Sequence, residues 1–198
     1  MTSYLSHGSA SDREENGGPA GEPIRDGQYA RVERERRFLL AAPPSEVAAP
    51  RRIIDRYLTG TRLRLRRVEH LHSGTSEFKL TQKIPASHPG PVRGLITTIY
   101  LSREEYDRLV ALPAAGLSKT RASAPPLAID VFDLPLDGLV LAEAEFGPDE
   151  DAVGFRPPRF SVAEVTDDAR FAGGRLARTS RPELLEWLAE YRVRPPSA

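Results

Sequence analysis

The sequence predicts a mainly β, α+β fold: antiparallel strands rolled into a closed barrel, with helices packed outside. Three observations predict it. Short strand-like stretches recur between Pro- and Gly-rich breaks such as "AAPP", "IPASHPGP" and "ASAPP". Each stretch carries an ionic face and an apolar face at period two. Two capped helical segments, near residues 102 and 180, offer apolar cover.

The elements follow in order. Residues 1–28 are rich in Gly, Ser and charge and nearly free of apolar residues, which predicts a disordered tail. The folded domain spans 29–193, and 194–198 form a short C-terminal tail. The first strand, 30–40, contains "VERERRFLL". Glu33, Glu35 and Arg37 share one of its faces; Arg34 and Arg36 point the other way. A short helix is expected from Ser45 to about Arg52, then a strand over 51–58. In the next strand, 61–68, "RLRLRR" sets Arg62, Arg64 and Arg66 opposite Leu63 and Leu65. "EFKLTQKI", in the strand 76–84, sets Glu77, Lys79 and Lys83 opposite Phe78, Leu80 and Ile84. A strand at 94–101 leads into the helix "LSREEYDRLVAL", where Ser102 and Glu105 form a capping box. "SKTR" repeats the two-faced pattern with Lys119 and Arg121. Asp130 marks the ionic side of the strand 127–133, and Glu143 and Glu145 that of 139–146. The last helix, "SRPELLEWLAEY", has a Ser180–Glu183 box and a stripe of Leu184, Trp187, Leu188 and Tyr191. Trp187 is expected to anchor it on the outer face of the barrel.

Composition narrows the function. The 28 basic and 28 acidic residues balance, unlike the basic excess of a general nucleic-acid binder. The absence of cysteine excludes disulfide and thiol chemistry. No run approaches bilayer length and no signal peptide is evident, so no membrane partner is expected and the cytoplasm is the simplest location. Only three lysines stand against 25 arginines, and all three fall on the two-faced segments.

One two-faced strand is ordinarily half in water. Here the ionic faces are dense and segregated by sign, basic in the middle strands and acidic in the first and last. A closed barrel with these faces inward accounts for that, provided the lumen takes a polyanion and a cation. Arg and Lys suit phosphate oxygens, and paired carboxylates suit a hard divalent cation such as Mg²⁺ or Mn²⁺. Glu33 and Glu35 are then expected to face Glu143 and Glu145 across the lumen. An ordinary sandwich with solvated charges is the plainer alternative.

"VERERRFLL" resembles the Glu-x-Glu-x-Lys signature of the CYTH domain, the triphosphate tunnel metalloenzyme superfamily. "RLRLRR", "EFKLTQK", "SKTR", "AIDVFDLPLDGLVLAEAEF" and "VAEVTDDARFAGGRLA" match further family segments in order, over about Ala30 to Ala177. The resemblance implies an eight-stranded antiparallel barrel forming a tunnel. Members hydrolyse inorganic triphosphate, thiamine triphosphate or RNA 5′-triphosphates, or cyclise ATP. Carried over by position, it implies metal binding by Glu33, Glu35, Glu143 and Glu145, with Asp130 as a further acidic residue. It implies phosphate binding by Arg37, Arg62, Arg64, Lys79, Lys83, Lys119 and Arg121. Glu33, Glu35 and Lys83 are the catalytic candidates. Arg37 replaces the signature lysine, and Thr97, Thr98 and Ala128 stand where acidic residues are common in the family.

The function these readings favour is metal-dependent hydrolysis of a small-molecule triphosphate, inorganic tripolyphosphate first, with Mg²⁺ or Mn²⁺ as cofactor. A CYTH-type adenylate cyclase and a non-catalytic polyphosphate- or nucleotide-binding module are the alternatives. No stable nucleic-acid complex is expected. Monomer and homodimer both stay open.

Overall fold

The computed structural model describes residues 29–148 and 150–194. The expected tail 1–28 and nearly all of 194–198 lie outside the described residues. Eight antiparallel strands close on themselves: β1 (Arg31–Leu40), β2 (Ala48–Leu58), β3 (Leu63–His70), β4 (Ser76–Pro85), β5 (Val92–Leu101), β6 (Ala114–Ala124), β7 (Leu127–Phe132) and β8 (Val140–Glu145). The circuit runs β1-β5-β4-β3-β2-β6-β7-β8 and back to β1. A short β9 (Ser161–Glu164) is added to β1 beyond the end of its pairing with β5. Among the described residues no helix is long and apolar enough to cross a membrane.

β1 is the seam. Its first half pairs with β5, with Glu33 opposite Gly94, while its second half pairs with β8. A register shift after Glu33 marks a bulge there. Gly94 is required at this crossing: its φ is +128°, and a Cβ would fall 1.9 Å from the Ile84 carbonyl oxygen.

Period-two alternation sorts the side chains as the sequence implies. The outward faces of β1, β7 and β8 bury Phe38, Leu40, Ile129 and Ala142 beneath Phe146 and Phe155. Helix α1 (Arg103–Leu109), capped by the expected Ser102–Glu105 box, lays Tyr106 over Leu65 and Phe78 outside the barrel. The Phe78 and Tyr106 rings are 4.7 Å apart.

Three expectations are corrected. No helix forms at Ser45–Arg52; β2 begins at Ala48 instead. Its β-branched Ile53 and Ile54 extend the strand so that it pairs along β6, itself longer than "SKTR" suggested. The last helix does not lie on the outer face. Leu184, Trp187 and Leu188 of α3 (Arg181–Glu190) pack with Leu39, Leu117, Phe132 and Leu141. Those four residues are on the lumen face, in phase with Glu35, Lys119, Asp130 and Glu143. A 3-10 turn (Ala169–Phe171) and helix α2 (Gly173–Leu176) add Phe171 and Leu176 to the same cluster. The inward faces turn from ionic to apolar toward one end, and the C-terminal elements plug it. Thirdly, β8 is hydrogen-bonded to β1, with Glu35 opposite Glu145 and Arg37 opposite Glu143. The two acidic pairs are therefore lateral neighbours, because closing the barrel joins its first and last strands.

Candidate active site

The inward faces of adjacent strands build one ionic network. β1 contributes Glu33, Glu35 and Arg37, and β8 contributes Glu143 beside them. Arg37 donates from Nη2 to Glu35 at 2.5 Å and from Nε to Glu143 at 3.3 Å. Arg121 on β6 continues the chain, bonding Glu143 and, through Nε and Nη2 at 2.6 Å each, both oxygens of Asp130. Lys119 bonds Asp130 as well. Lys83 on β4 donates to Glu33 at 2.7 Å.

Burial grades along this network. Asp130 is 0% exposed and Glu143 8%, whereas the Lys83 side chain is 36% exposed. Glu145 is 73% exposed at the side chain and approaches Arg121 of the network at 3.9 Å. Lys79 pairs with Glu77 at 2.8 Å and lies 4.8 Å from the centre of the Tyr100 ring. Arg64 approaches Asp55 at 3.7 Å, and Arg62 precedes β3 as an exposed residue.

The local charges tune one another. Burial pushes the Glu35 carboxyl up, and the charge of Glu143 pushes it further, against the pull of Arg37. Burial acts the same way on Glu143, but Arg121 and Lys119 outweigh it and hold that carboxyl well below the usual range. Burial lowers the Lys119 ammonium despite Asp130.

A second buried centre escaped the sequence reading. Asp55 on β2 is 1% exposed and accepts hydrogen bonds from Arg66 Nε and Nη2, at 2.6 and 2.7 Å. Burial alone would raise its carboxyl; Arg66, with Arg64, holds it at about 2. Its signal was present, since Asp55 is the only acid in "RRIIDRYL" and alternates with Ile53 and Tyr57. Tyr57 reaches the plug: a Cβ on Gly173 would lie 2.0 Å from the Tyr57 hydroxyl. At the positions that depart from the family pattern, Ala128 lies opposite Glu143, and Thr98 exchanges a 3.0 Å hydrogen bond with buried Thr81.

By donor type this set fits a hard divalent cation. Glu33, Glu35 and Glu143 offer only carboxylate oxygens. As the side chains stand, among the described residues no three His, Cys, Asp or Glu converge into a ready metal cluster. Each of these carboxylates instead holds Arg or Lys.

Among solved structures, the barrel resembles that of the hypothetical protein NE1496, with 30% identity, a TM-score of 0.51, and coverage of 75% of this chain and 99% of that one. A second structure, described as the inorganic triphosphatase NE1496, matches at 28% identity and a TM-score of 0.50, over 75% and 96% of the two chains. The chain is a relative of NE1496. No protein-family model and no curated protein matches it.

Proposed function

We propose that this protein is a triphosphatase of the CYTH type that hydrolyses inorganic tripolyphosphate with the help of a divalent metal ion. The observation that carries the reading is the inward lining: carboxylates beside Arg and Lys, enclosed in a barrel like that of NE1496 and plugged at one end. Such a lining suits a substrate that is itself a chain of negative charge. The name of NE1496 as an inorganic triphosphatase supports the substrate class.

Lys83, the most exposed cation of the network, is positioned to meet phosphate first, with Arg62 next to it and Arg64 and Lys79 further along the same lining. Arg121 and Lys119, deeper in, add fixed positive charge against which a phosphoryl group is stabilised as its bond breaks. Glu33, Glu35 and Glu143, with Glu145 at the rim, would hold Mg²⁺ or Mn²⁺. Such an ion supplies neutralisation of phosphate charge and activation of water. Glu33 and Glu35 would orient the attacking water. Thr98 and Ala128 offer no carboxylate, so the acidic side of the site rests on β1 and β8.

The test is phosphate release from tripolyphosphate, thiamine triphosphate, ATP and polyphosphate, each with Mg²⁺, Mn²⁺ or a chelator. Tripolyphosphate with metal is expected to turn over fastest. Glu33→Gln and Lys83→Ala should each lower turnover about 100-fold. Wild-type turnover in both variants would sink the site assignment, and cAMP formed from ATP would replace the hydrolase reading by a cyclase.

A further inference from the structure

Arg37 stands where the resemblance expects a phosphate-gripping lysine, yet its guanidinium is already engaged on every nitrogen. Nη2 donates to Glu35 at 2.5 Å, Nε to Glu143 at 3.3 Å, and Nη1 to the backbone carbonyl of Phe171 at 3.0 Å. Its own backbone is fixed too: the N–H donates to Thr166 Oγ1 at 2.9 Å and the carbonyl accepts from Val165 N at 2.8 Å. The Arg37 side chain is only 10% exposed. Lys83, in contrast, is 36% exposed at the side chain and has Glu33 as its partner.

The third partner gives the arrangement its meaning. Phe171 ends the 3-10 turn that leads into α2, and its ring sits in the plug, 6.4 Å from that of Trp187. A guanidinium fork reaches two carboxylates on neighbouring strands and a plug carbonyl at once. A lysine ammonium is a single point charge and does not span three such sites.

We propose that Arg37 is a positioning residue: it sets the spacing of Glu35 and Glu143 and fastens both to the C-terminal plug, instead of gripping phosphate. This rests on the triphosphatase reading for its kinetic consequence, but not for its structural one.

The experiment compares the full chain with Arg37→Lys and Arg37→Met. With tripolyphosphate and Mg²⁺, kcat is expected to fall about 10- to 100-fold in both variants, because the carboxylates lose their geometry. KM should stay within about twofold, because no phosphate contact is lost. In parallel, amide hydrogen exchange at Phe171, Arg175 and Leu176 should quicken about 10-fold, with Tyr106 and Val110 of the outer helix as unaffected controls. A rise in KM at constant kcat would make Arg37 a phosphate ligand and overturn the proposal. So would unchanged exchange in the plug, or wild-type kcat in Arg37→Lys. If the wild-type chain releases no phosphate from tripolyphosphate, the functional reading fails by itself, and the exchange measurement still decides whether Arg37 fastens the plug. Should Arg37→Met not fold, Arg37→Lys, which retains the charge, carries the same comparison.

Discussion

Replacing Asp130 by Asn removes the charge on which Lys119 and Arg121 converge. Asp130 is 0% exposed, and both of its oxygens accept from Arg121 at 2.6 Å. Breaking a buried ion pair by neutralising one partner costs about 3–5 kcal/mol, since the other charge is stranded away from water. Two features soften the loss: Asn keeps one carbonyl acceptor, and Glu143 still holds Arg121. The lower end, about 3 kcal/mol, is therefore expected. For a domain of this size that corresponds to a fall in Tm of about 6–12 °C. Urea unfolding in a chelator, followed by circular dichroism and by the fluorescence of the single tryptophan in the plug, measures it. Adding Lys119→Met to Asp130→Asn should recover part of the loss, because the stranded ammonium goes with it. An Asp130→Asn chain within about 0.5 kcal/mol of wild type under chelator refutes the reasoning. It would mean that Asp130 waits for a metal ion instead of anchoring the two cations.

Further consequences follow from the same contacts. The Asp55 carboxyl is held at about 2 when folded, below its unfolded value, so its contribution is present above about pH 4 and lost as pH falls toward 2. That contribution is about 2 kcal/mol, and Asp55→Asn should flatten the acid limb of urea midpoints measured between pH 5 and pH 2.5. Gly173→Ala should cost about 1–3 kcal/mol by driving a methyl group into the half-buried Tyr57 hydroxyl, and Tyr57→Phe in the same chain should return part of it in thermal unfolding. Tyr106→Ala should cost about 3 kcal/mol through lost packing on Leu65 and Phe78, while leaving KM for tripolyphosphate unchanged, since α1 lies outside the barrel.

Much of this molecule was legible in the amino-acid order because period two sorts charge from apolar residues whatever the strands pair with. Glu33, Glu35 and Arg37 share a face in any extended chain. Both helix starts were legible for a local reason: the Ser102–Glu105 and Ser180–Glu183 boxes satisfy backbone groups within four residues. What depended on distant partners was not legible. The side of the barrel that α3 covers is decided by Leu39, Leu117, Phe132 and Leu141, which belong to four different strands. Each looked like one more apolar residue at the end of an ionic face. Asp55 was overlooked for the same kind of reason, because its meaning comes from Arg66 on the neighbouring strand. The segment 45–52 misled because its alanines favour a helix locally, whereas the partners of β2 on both sides impose a strand.

The gradient of burial assigns different duties to charges that look equivalent in sequence. Toward the plug, Asp55 and Asp130 each neutralise two cations out of reach of water, and these ion pairs have the character of framework. The Lys83 ammonium, more open to water, pairs with Glu33, and such a contact gains little in water and opens at little cost. A polyanion arriving from solvent is expected to meet this exposed pair before the buried ones. Under the proposed function, exchange is expected there: phosphate would take the ammonium, and the released Glu33 carboxylate would become available to a cation. The buried pairs behind it keep the strands and the remaining charges in place while this happens. A lining that reads as uniform alternation along each strand is thus divided by burial, with a weak, solvent-accessible pair and a fixed, buried set of counter-charges.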